Sequence, residues 1–313
     1  MLVSTKKLLL KANKGKYAVP AFNMNNLEIL QGIVAGAEKM KSPVIIQTSE
    51  GAIEYAGMEN LASLFYNAAK KTKIPMALHF DHGKNLKTVL LALKSGWYQS
   101  VMYDGSSLPY KENVANTKKV VKMAHARGVS VEAELGAIPG KEDNVDVHQR
   151  EASYTNPHQA LDFVNRTGCD FLAISIGTAH GANKFVGKSR LDFKRLELIA
   201  ALVKRPLVLH GASGVPETLV TRYKKYSKVL HDENRLANAK GVSAAHISRA
   251  VALGIDKVNI DTDLRIAFMV ALREKLITDD TEIDQRKILA PARDLIAQVV
   301  ESKIRLLGSK NRK

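Results

Sequence analysis

Three histidines in this chain are each followed by glycine: His82-Gly83, His180-Gly181 and His210-Gly211. Neutral imidazole suits Zn2+, and three imidazoles leave one tetrahedral position open, as a catalytic zinc requires. A glycine after each ligand lets backbone and substrate come close. Carboxylates stand nearby in the pattern: Asp81 directly before His82, then Asp104 and Glu134. Asp104 and Glu134 could hold a second cation, monovalent or divalent, or orient the imidazoles. A separate signal is the small-residue run Gly211-Ala212-Ser213-Gly214, with Asn259-Ile260-Asp261-Thr262 further on. Free backbone N–H groups, a serine hydroxyl and a helix start are suitable ligands for a phosphate. Taken singly, a histidine or a glycine turn is ordinary. What gives these residues meaning is whether one scaffold brings them together.

The elements between them supply that scaffold. Short β-rich apolar runs recur at Tyr17–Phe22, Pro43–Thr48, Pro75–Phe80, Ser100–Tyr103, Ser130–Glu134, Phe171–Ile176, Pro206–Leu209 and Lys257–Ile260. Runs such as Val44-Ile45-Ile46 are apolar without alternation, as expected of strands buried on both faces of a parallel sheet. Helical spacing fills the intervals at Leu27–Met40, Asn60–Lys71, Leu86–Lys94, Asn113–Arg127 and Arg195–Val203. Asn85 and Asn156-Pro157 read as helix starts, and Gly128 as a stop. Eight strands alternating with helices predict an α/β fold, a (β/α)8 TIM barrel, as one domain over residues 1–313 with a helical C-terminal appendage from Pro291 onward. A doubly wound sheet is the alternative, but Phe22–Asn26 lacks the glycines of a dinucleotide loop. In a barrel the active site lies at the C-terminal strand ends. Those ends read Asp81-His82-Gly83, Asp104, Glu134, Gly177–Gly181, His210–Gly214 and Asn259–Asp263, so the candidate residues converge.

Other residues take bland assignments. His79, His125, His148, His158, His231 and His246 are structural or solvent-facing, although His79 shares a strand face with Asp81 and could support it. Cys169 is a small buried hydrophobe, and Trp97-Tyr98 pack between helix and barrel. Long polar stretches, Ala137–Ser153 and Lys224–Gly241, suit functional loops.

Composition is that of a soluble globular chain of 313 residues, 45% hydrophobic and 25% charged. No apolar run approaches the roughly 18 residues of a membrane helix, and Met1–Lys16 is no secretory signal. These features predict a cytoplasmic protein without membrane insertion. A single cysteine excludes an internal disulfide or thiolate zinc cluster. Of the sixteen excess positive charges, ten lie within Met1–Leu27 and Ser302–Lys313, segments without an acid. The only aromatics there are Tyr17 and Phe22, on the first strand, so the charge argues for solubility and mild anion attraction rather than specific nucleic-acid reading.

Several motifs, in order, resemble the class II, metal-dependent fructose-bisphosphate aldolases. They are Thr48–Gly51, His79–Gly83, Tyr103–Pro109 with Glu112-Asn113, Val131–Gly136, Gly177–Gly181, His210–Gly214 and Asn259–Thr262, within a likeness running from Tyr17 to Arg293. The closest resemblance is to the shorter, type B branch, which also contains tagatose-bisphosphate aldolases. The resemblance implies zinc on His82, His180 and His210, with Asp104 and Glu134 as an alternative metal site. It implies Asp81 as acid/base at the substrate C4 hydroxyl, and Glu142, in the Pro139–Asp143 loop, as the base at C3. It places the triose phosphate on Gly181, Lys184, Gly211, Ala212, Ser213 and Asn259–Thr262, a glyceraldehyde-phosphate contact on Ser49, and the distal phosphate on Arg286, reached from a neighbouring subunit of a homodimer or homotetramer. Two departures stand out: Asp284-Gln285-Arg286 replaces the family's Asp-Pro-Arg, and Pro139-Gly140 replaces a common Gly-Gly. The chemistry implied is reversible cleavage of fructose 1,6-bisphosphate to dihydroxyacetone phosphate and glyceraldehyde 3-phosphate. Tagatose 1,6-bisphosphate differs by one hydroxyl configuration that no motif reads. A Schiff-base mechanism would need a desolvated strand lysine, whereas Lys84 and Lys184 lie beyond strand ends. A non-enzymatic reading, binding through the basic ends, leaves the histidines unexplained.

Overall fold

Strands that are buried on both faces can carry apolar side chains in both directions, and the strands of this barrel do so. The computed structural model describes residues 1–138, 140–142, 145–147, 154–178, 191–227 and 241–313. Its elements run α1 (Thr5–Gly15), β1 (Val19–Asn23), α2 (Leu27–Met40), β2 (Val44–Thr48), α3 (Glu50–Ala56), α4 (Met58–Lys71), β3 (Met76–Gly83), α5 (Leu86–Ser95), β4 (Ser100–Tyr103), α6 (Tyr110–His125) and β5 (Ser130–Leu135). They continue with β6 (Gly140–Glu142), β7 (Val145–Val147), α7 (Pro157–Thr167), β8 (Phe171–Ile174), α8 (Phe193–Val203), β9 (Leu207–Leu209), α9 (Glu217–Ser227), α10 (Ala244–Ala252), β10 (Ile255–Ile260), α11 (Thr262–Thr278) and α12 (Gln285–Leu306). Eight parallel strands close in the order β1-β10-β9-β8-β5-β4-β3-β2, the predicted barrel. The predicted strands recur with ends shifted by a few residues; β3 runs on through Gly83 and β10 begins at Ile255. Asn85 and Asn156 do cap helices, their side chains accepting from Lys87 N and Gln159 N.

Three features differ from expectation. The C-terminal appendage starts at Gln285, where the Asp284 carboxylate accepts from Arg286 N, and Pro291 lies inside the helix rather than at its start. Within the polar stretch after β5, β6 and β7 form an antiparallel hairpin. The lysine-rich N-terminus forms α1, which buries Thr5, Leu8, Leu9 and Ala12. Leu8, Leu9 and Ala12 pack with Val19, Ala21, Ile45, Ala77, Met102, Phe171, Ala173 and Val208, one face of each contributing strand. These alternate residues point into the barrel, and α1 therefore closes its N-terminal end. Lys6 pairs with Asp170 (2.8 Å), and Thr5 Oγ1 bonds Ser100 Oγ (2.8 Å), fixing the helix there. The basic chain ends meet on this side, where Lys11 donates to the carbonyls of Arg312 and Lys313. Among the described residues no helix is long and apolar enough to cross a membrane.

Candidate active site

Following the inward faces from floor to mouth, apolar side chains give way to polar ones. β1 reads Val19, Ala21, Asn23; β2, Ile45, Gln47; β3, Ala77, His79, Asp81; β5, Ser130, Glu132, Glu134. The step from β9 through its end is Val208 to His210, and β10 presents Lys257 and Asn259. All of these side chains are buried. The barrel thus carries a mostly apolar lower half and a polar upper half.

At the mouth, β3 departs from regular pairing. Its register against β4 shifts between Phe80 and Gly83, and His82 has a left-handed backbone, φ 49°. A bulge of this kind re-aims a side chain, and a non-glycine residue in the left-handed region is a strained conformation typical of functional sites. Gly83 is required by the wall: a Cβ there would stand 2.5 Å from the Phe80 ring and 2.6 Å from the Met102 carbonyl. This close packing, rather than approach of a substrate, explains that glycine.

The bulge brings His82 against His210, ring centroids 4.5 Å apart and planes perpendicular, with His82 Nε2 2.8 Å from His210 Nδ1. His210 Nε2 lies 2.7 Å from Glu132 Oε1, and Lys257 donates to Glu132 Oε2 at 2.8 Å. A carboxylate beside a cation accepts only, so His210 Nε2 carries the proton and the Nδ1 lone pair faces His82 Nε2. His82 Nδ1 faces Asp104 Oδ2 at 3.1 Å, where the carboxylate accepts from the ring. Burial opposes a positive charge on this ring, but Asp81, Asp104 and Glu134 outweigh it and lift His82 to about 10. Burial raises Asp104 in turn, yet His82 and the Ser106 donors (Oγ at 2.7 Å) hold it well below the usual carboxylate range. Burial, then repulsion from Asp104, pushes Glu134 well above that range. His79 is driven far below its ordinary value by burial and by Lys257, so it is neutral.

Asp81 is held differently, by amides. Gln47 Nε2 (2.9 Å) and Asn23 Nδ2 (3.3 Å) donate to Oδ2, and Asn259 Nδ2 donates to Oδ1 (3.1 Å). Three neutral donors aim a carboxylate without cancelling its charge. The donor atoms of Asp81, His82 and His210 lie within 4.8 Å of one another, and so do those of His82, Asp104 and Glu134. Four buried carboxyl groups, Asp81, Asp104, Glu132 and Glu134, crowd around the imidazoles of His82 and His210, with one buried lysine, Lys257, on Glu132. Glu134 Oε2 is buried with no hydrogen-bond partner among the described residues. An excess of buried negative charge, an orphaned carboxylate oxygen and convergent imidazoles fit a cation.

The other predicted residues divide into three groups. Ser49 is buried beyond β2, its Oγ accepting from Ala52 N at the start of α3. Gly211 (φ 61°), Ala212 and Ser213 follow β9, and Asn259–Thr262 lead from β10 into α11, so both runs stand at the mouth. Lys303 of α12 underpins both, donating to the Gly214 carbonyl (2.9 Å) and pairing with Asp263 (3.2 Å). Arg286 is not part of this cluster: its side chain is 85% exposed and turned onto Asp284 (2.7 Å). His180, Gly181 and Lys184 lie outside the described residues, as does the side chain of Glu142, whose backbone ends β6.

Asn23, Gln47, Glu132, Lys257 and Lys303 go unnoticed in the sequence. Lys257 matters most, because it is a buried lysine on a barrel strand, the kind of residue a Schiff-base mechanism would need. Its signal was available: Lys257 stands two residues before Asn259, and Glu132 two before Glu134, so each shares a strand face with a candidate residue. Cys169 is buried as expected, its thiol pushed up to about 12 by burial.

Comparison with known proteins agrees with this architecture. The family model "Fructose-bisphosphate aldolase class-II" matches residues 3–312. The chain belongs to the class II fructose-bisphosphate aldolase family. It is 46% identical over 312 residues to a fructose-bisphosphate aldolase of Thermus caldophilus, and 44% identical over 313 residues to one of Helicobacter pylori, covering 100% of each pair. Among solved structures it superposes on the YdjI aldolase of Escherichia coli K12 with a TM-score of 0.80 and 33% identity, covering 100% of this chain and 99% of that one. Family membership accounts for the mouth and the barrel together, since the matched span contains both.

Proposed function

We propose that this protein is a zinc-dependent aldolase of the type B branch that cleaves fructose 1,6-bisphosphate reversibly into dihydroxyacetone phosphate and glyceraldehyde 3-phosphate. The observation that carries the reading is the Asp81–His82–His210 group, with the unpartnered Glu134 oxygen beside it, in a chain aligned from end to end with fructose-bisphosphate aldolases. His82 and His210 would hold the metal, with His180 as the third imidazole from the same motif set. Asp104 and Glu134 would serve a second cation position or steady the first. Bound there, zinc supplies Lewis-acid stabilisation of the negative charge that develops at the C2 carbonyl.

The chain's own groups do the rest. Asp81, fixed by Asn23, Gln47 and Asn259, takes the C4 hydroxyl proton as the C3–C4 bond breaks and C4 becomes the aldehyde. The electron pair passes toward the C2 carbonyl, and Glu142 returns a proton to C3 to complete dihydroxyacetone phosphate. Gly181, Lys184, Gly211, Ala212, Ser213 and Asn259–Thr262 would seat one phosphate, with Lys303 bracing two of these loops. Ser49 would contact the glyceraldehyde phosphate. The exposure of Arg286 favours the reading that it serves the distal phosphate of another subunit, in a homodimer or homotetramer. We take the chain as one domain, and the single buried thiol of Cys169 and the phosphorylated substrates favour the cytoplasm.

The test is a cleavage assay coupled to triose-phosphate detection, before and after EDTA, with zinc added back. Loss to chelator and recovery with zinc is the expected result. Activity that persists after metal analysis confirms removal would overturn the metal reading. Cleavage of tagatose 1,6-bisphosphate in preference would correct the sugar.

A further inference from the structure

We propose that Glu132 and Lys257 are a positioning pair that fixes the proton of His210 on Nε2 and turns Nδ1 toward the metal position; this rests on the metal reading above. Both side chains are fully buried, one layer beneath the mouth. A buried ion pair is a poor stabiliser, since desolvating two charges offsets most of their attraction, and apolar residues of similar volume serve a core as well or better. The other inward-facing positions of these strands are filled that way, by Val19, Ala21, Ile45, Ala77, Met102, Phe171, Ala173 and Val208. An ion pair at this level therefore calls for another explanation.

The geometry supplies one. Glu132 divides its two oxygens between two tasks: Oε1 faces His210 Nε2 at 2.7 Å, and Oε2 takes Lys257 Nζ at 2.8 Å. Oε2 also lies 3.5 Å from His79 Nε2, whose Nδ1 is tied to Ser100 Oγ at 2.8 Å. That hydroxyl in turn meets Thr5 of the plug helix. The carboxylate does not donate, so the short 2.7 Å contact takes the proton of His210 Nε2, while Asn259 Nδ2 stands at the hydrogen-bond limit from both ring nitrogens, 3.4 Å from Nε2 and 3.5 Å from Nδ1. Its lone pair is thereby committed to Nδ1, on the side of His82 and Glu134. Partners of this kind set ligand tautomer and orientation, and losing them commonly weakens metal binding about 10–100-fold. The same arrangement explains why Lys257 is no Schiff-base nucleophile: its ammonium is held behind His210, on the far side of the imidazole from the mouth.

Zinc dissociation constants of the full chain, measured by competition with a chromophoric chelator, test the pair. Glu132→Gln is expected to bind zinc about 10–100-fold more weakly, because an amide can donate to Nε2 and allow the other tautomer. That variant leaves Lys257 buried without a partner and is expected to be less stable. Glu132→Gln with Lys257→Met removes the uncompensated charge, so stability should recover while zinc affinity stays weak and the cobalt(II) absorption spectrum stays altered. A purely structural pair would show affinity returning with stability. A double variant that binds zinc within twofold of the wild type, with the same cobalt spectrum, would overturn the inference alone. A wild type that takes up no zinc would overturn both it and the metal reading. Nitrogen-15 NMR of the His210 ring in the wild type reads the tautomer without any variant; Nε2–H is expected, and Nδ1–H would refute the assignment.

Discussion

The two ends of this barrel obey opposite rules. At the floor, α1 and the lower halves of the strands bury Leu8, Leu9, Val19, Ile45 and Phe171 against one another, with few polar groups among them. At the mouth, carboxyl and imidazole groups are buried at comparable depth, with Glu134 pushed up by burial and then by Asp104, and His82 raised to about 10, against its burial, by Asp81, Asp104 and Glu134. Each arrangement serves what the other cannot. An apolar floor adds stability in proportion to the area it hides. A polar mouth costs stability and is held in place by the wall around it, as the strained His82 backbone illustrates. The comparison teaches that folding and chemistry are assigned here to different layers of the same strands.

Four experiments would break or sharpen that division. The largest effect is expected at the mouth: Asp81→Asn should lower the cleavage rate about 10²–10⁴-fold, since it removes the proton acceptor while keeping its three amide neighbours' size. Its melting temperature should stay within a few degrees of the wild type; a collapse in stability would mean the mouth is structural after all. At the floor, Leu9→Ala should cost about 2–5 kcal/mol by leaving a cavity under α1. Urea unfolding would measure it, and kcat of the folded fraction should be unchanged, whereas a proportionate loss of kcat would join the two layers. Zinc at about a hundred times its dissociation constant should stabilise wild type and Leu9→Ala alike, by about 2.7 kcal/mol, seen as equal upward shifts in unfolding free energy. Unequal shifts would reveal coupling between floor and mouth.

The smallest effect concerns Asp256, at the N-terminal end of β10, where burial raises the carboxyl to about 6 against the Asn13 and Leu207 N–H donors. A raised carboxyl holds its proton more tightly in the folded chain. Its contribution to stability is complete below about pH 4 and is lost progressively as pH climbs through about 6. Asp256→Asn keeps an acceptor oxygen for both donors and should flatten that slope. A pH–stability profile unchanged by the substitution would remove Asp256 from the account.

Much of this molecule was legible because barrel strands have no solvent face. Runs such as Val44-Ile45-Ile46 advertise burial on both sides, and a histidine or aspartate at the end of such a run stands out. Residues inside the runs are harder to see. Glu132 and Lys257 read as ordinary polar positions until the closed barrel places them on the inward face. The plug helix was hidden by its lysines, because only Thr5, Leu8, Leu9 and Ala12 face inward while the charges cover the outside. Helix α12 was misjudged at Pro291, which is tolerated well inside the helix. Arg286 lies apart from the cluster in a single chain, so no spacing argument within one sequence could assemble it with the rest.

The plug at the floor also bears on traffic. A barrel stopped at the bottom is a vessel with one door, so both fragments of a cleaved sugar would leave by the opening through which the whole sugar entered. Leu8, Leu9 and Ala12, with the packed barrel interior above them, leave the mouth as the way in and out.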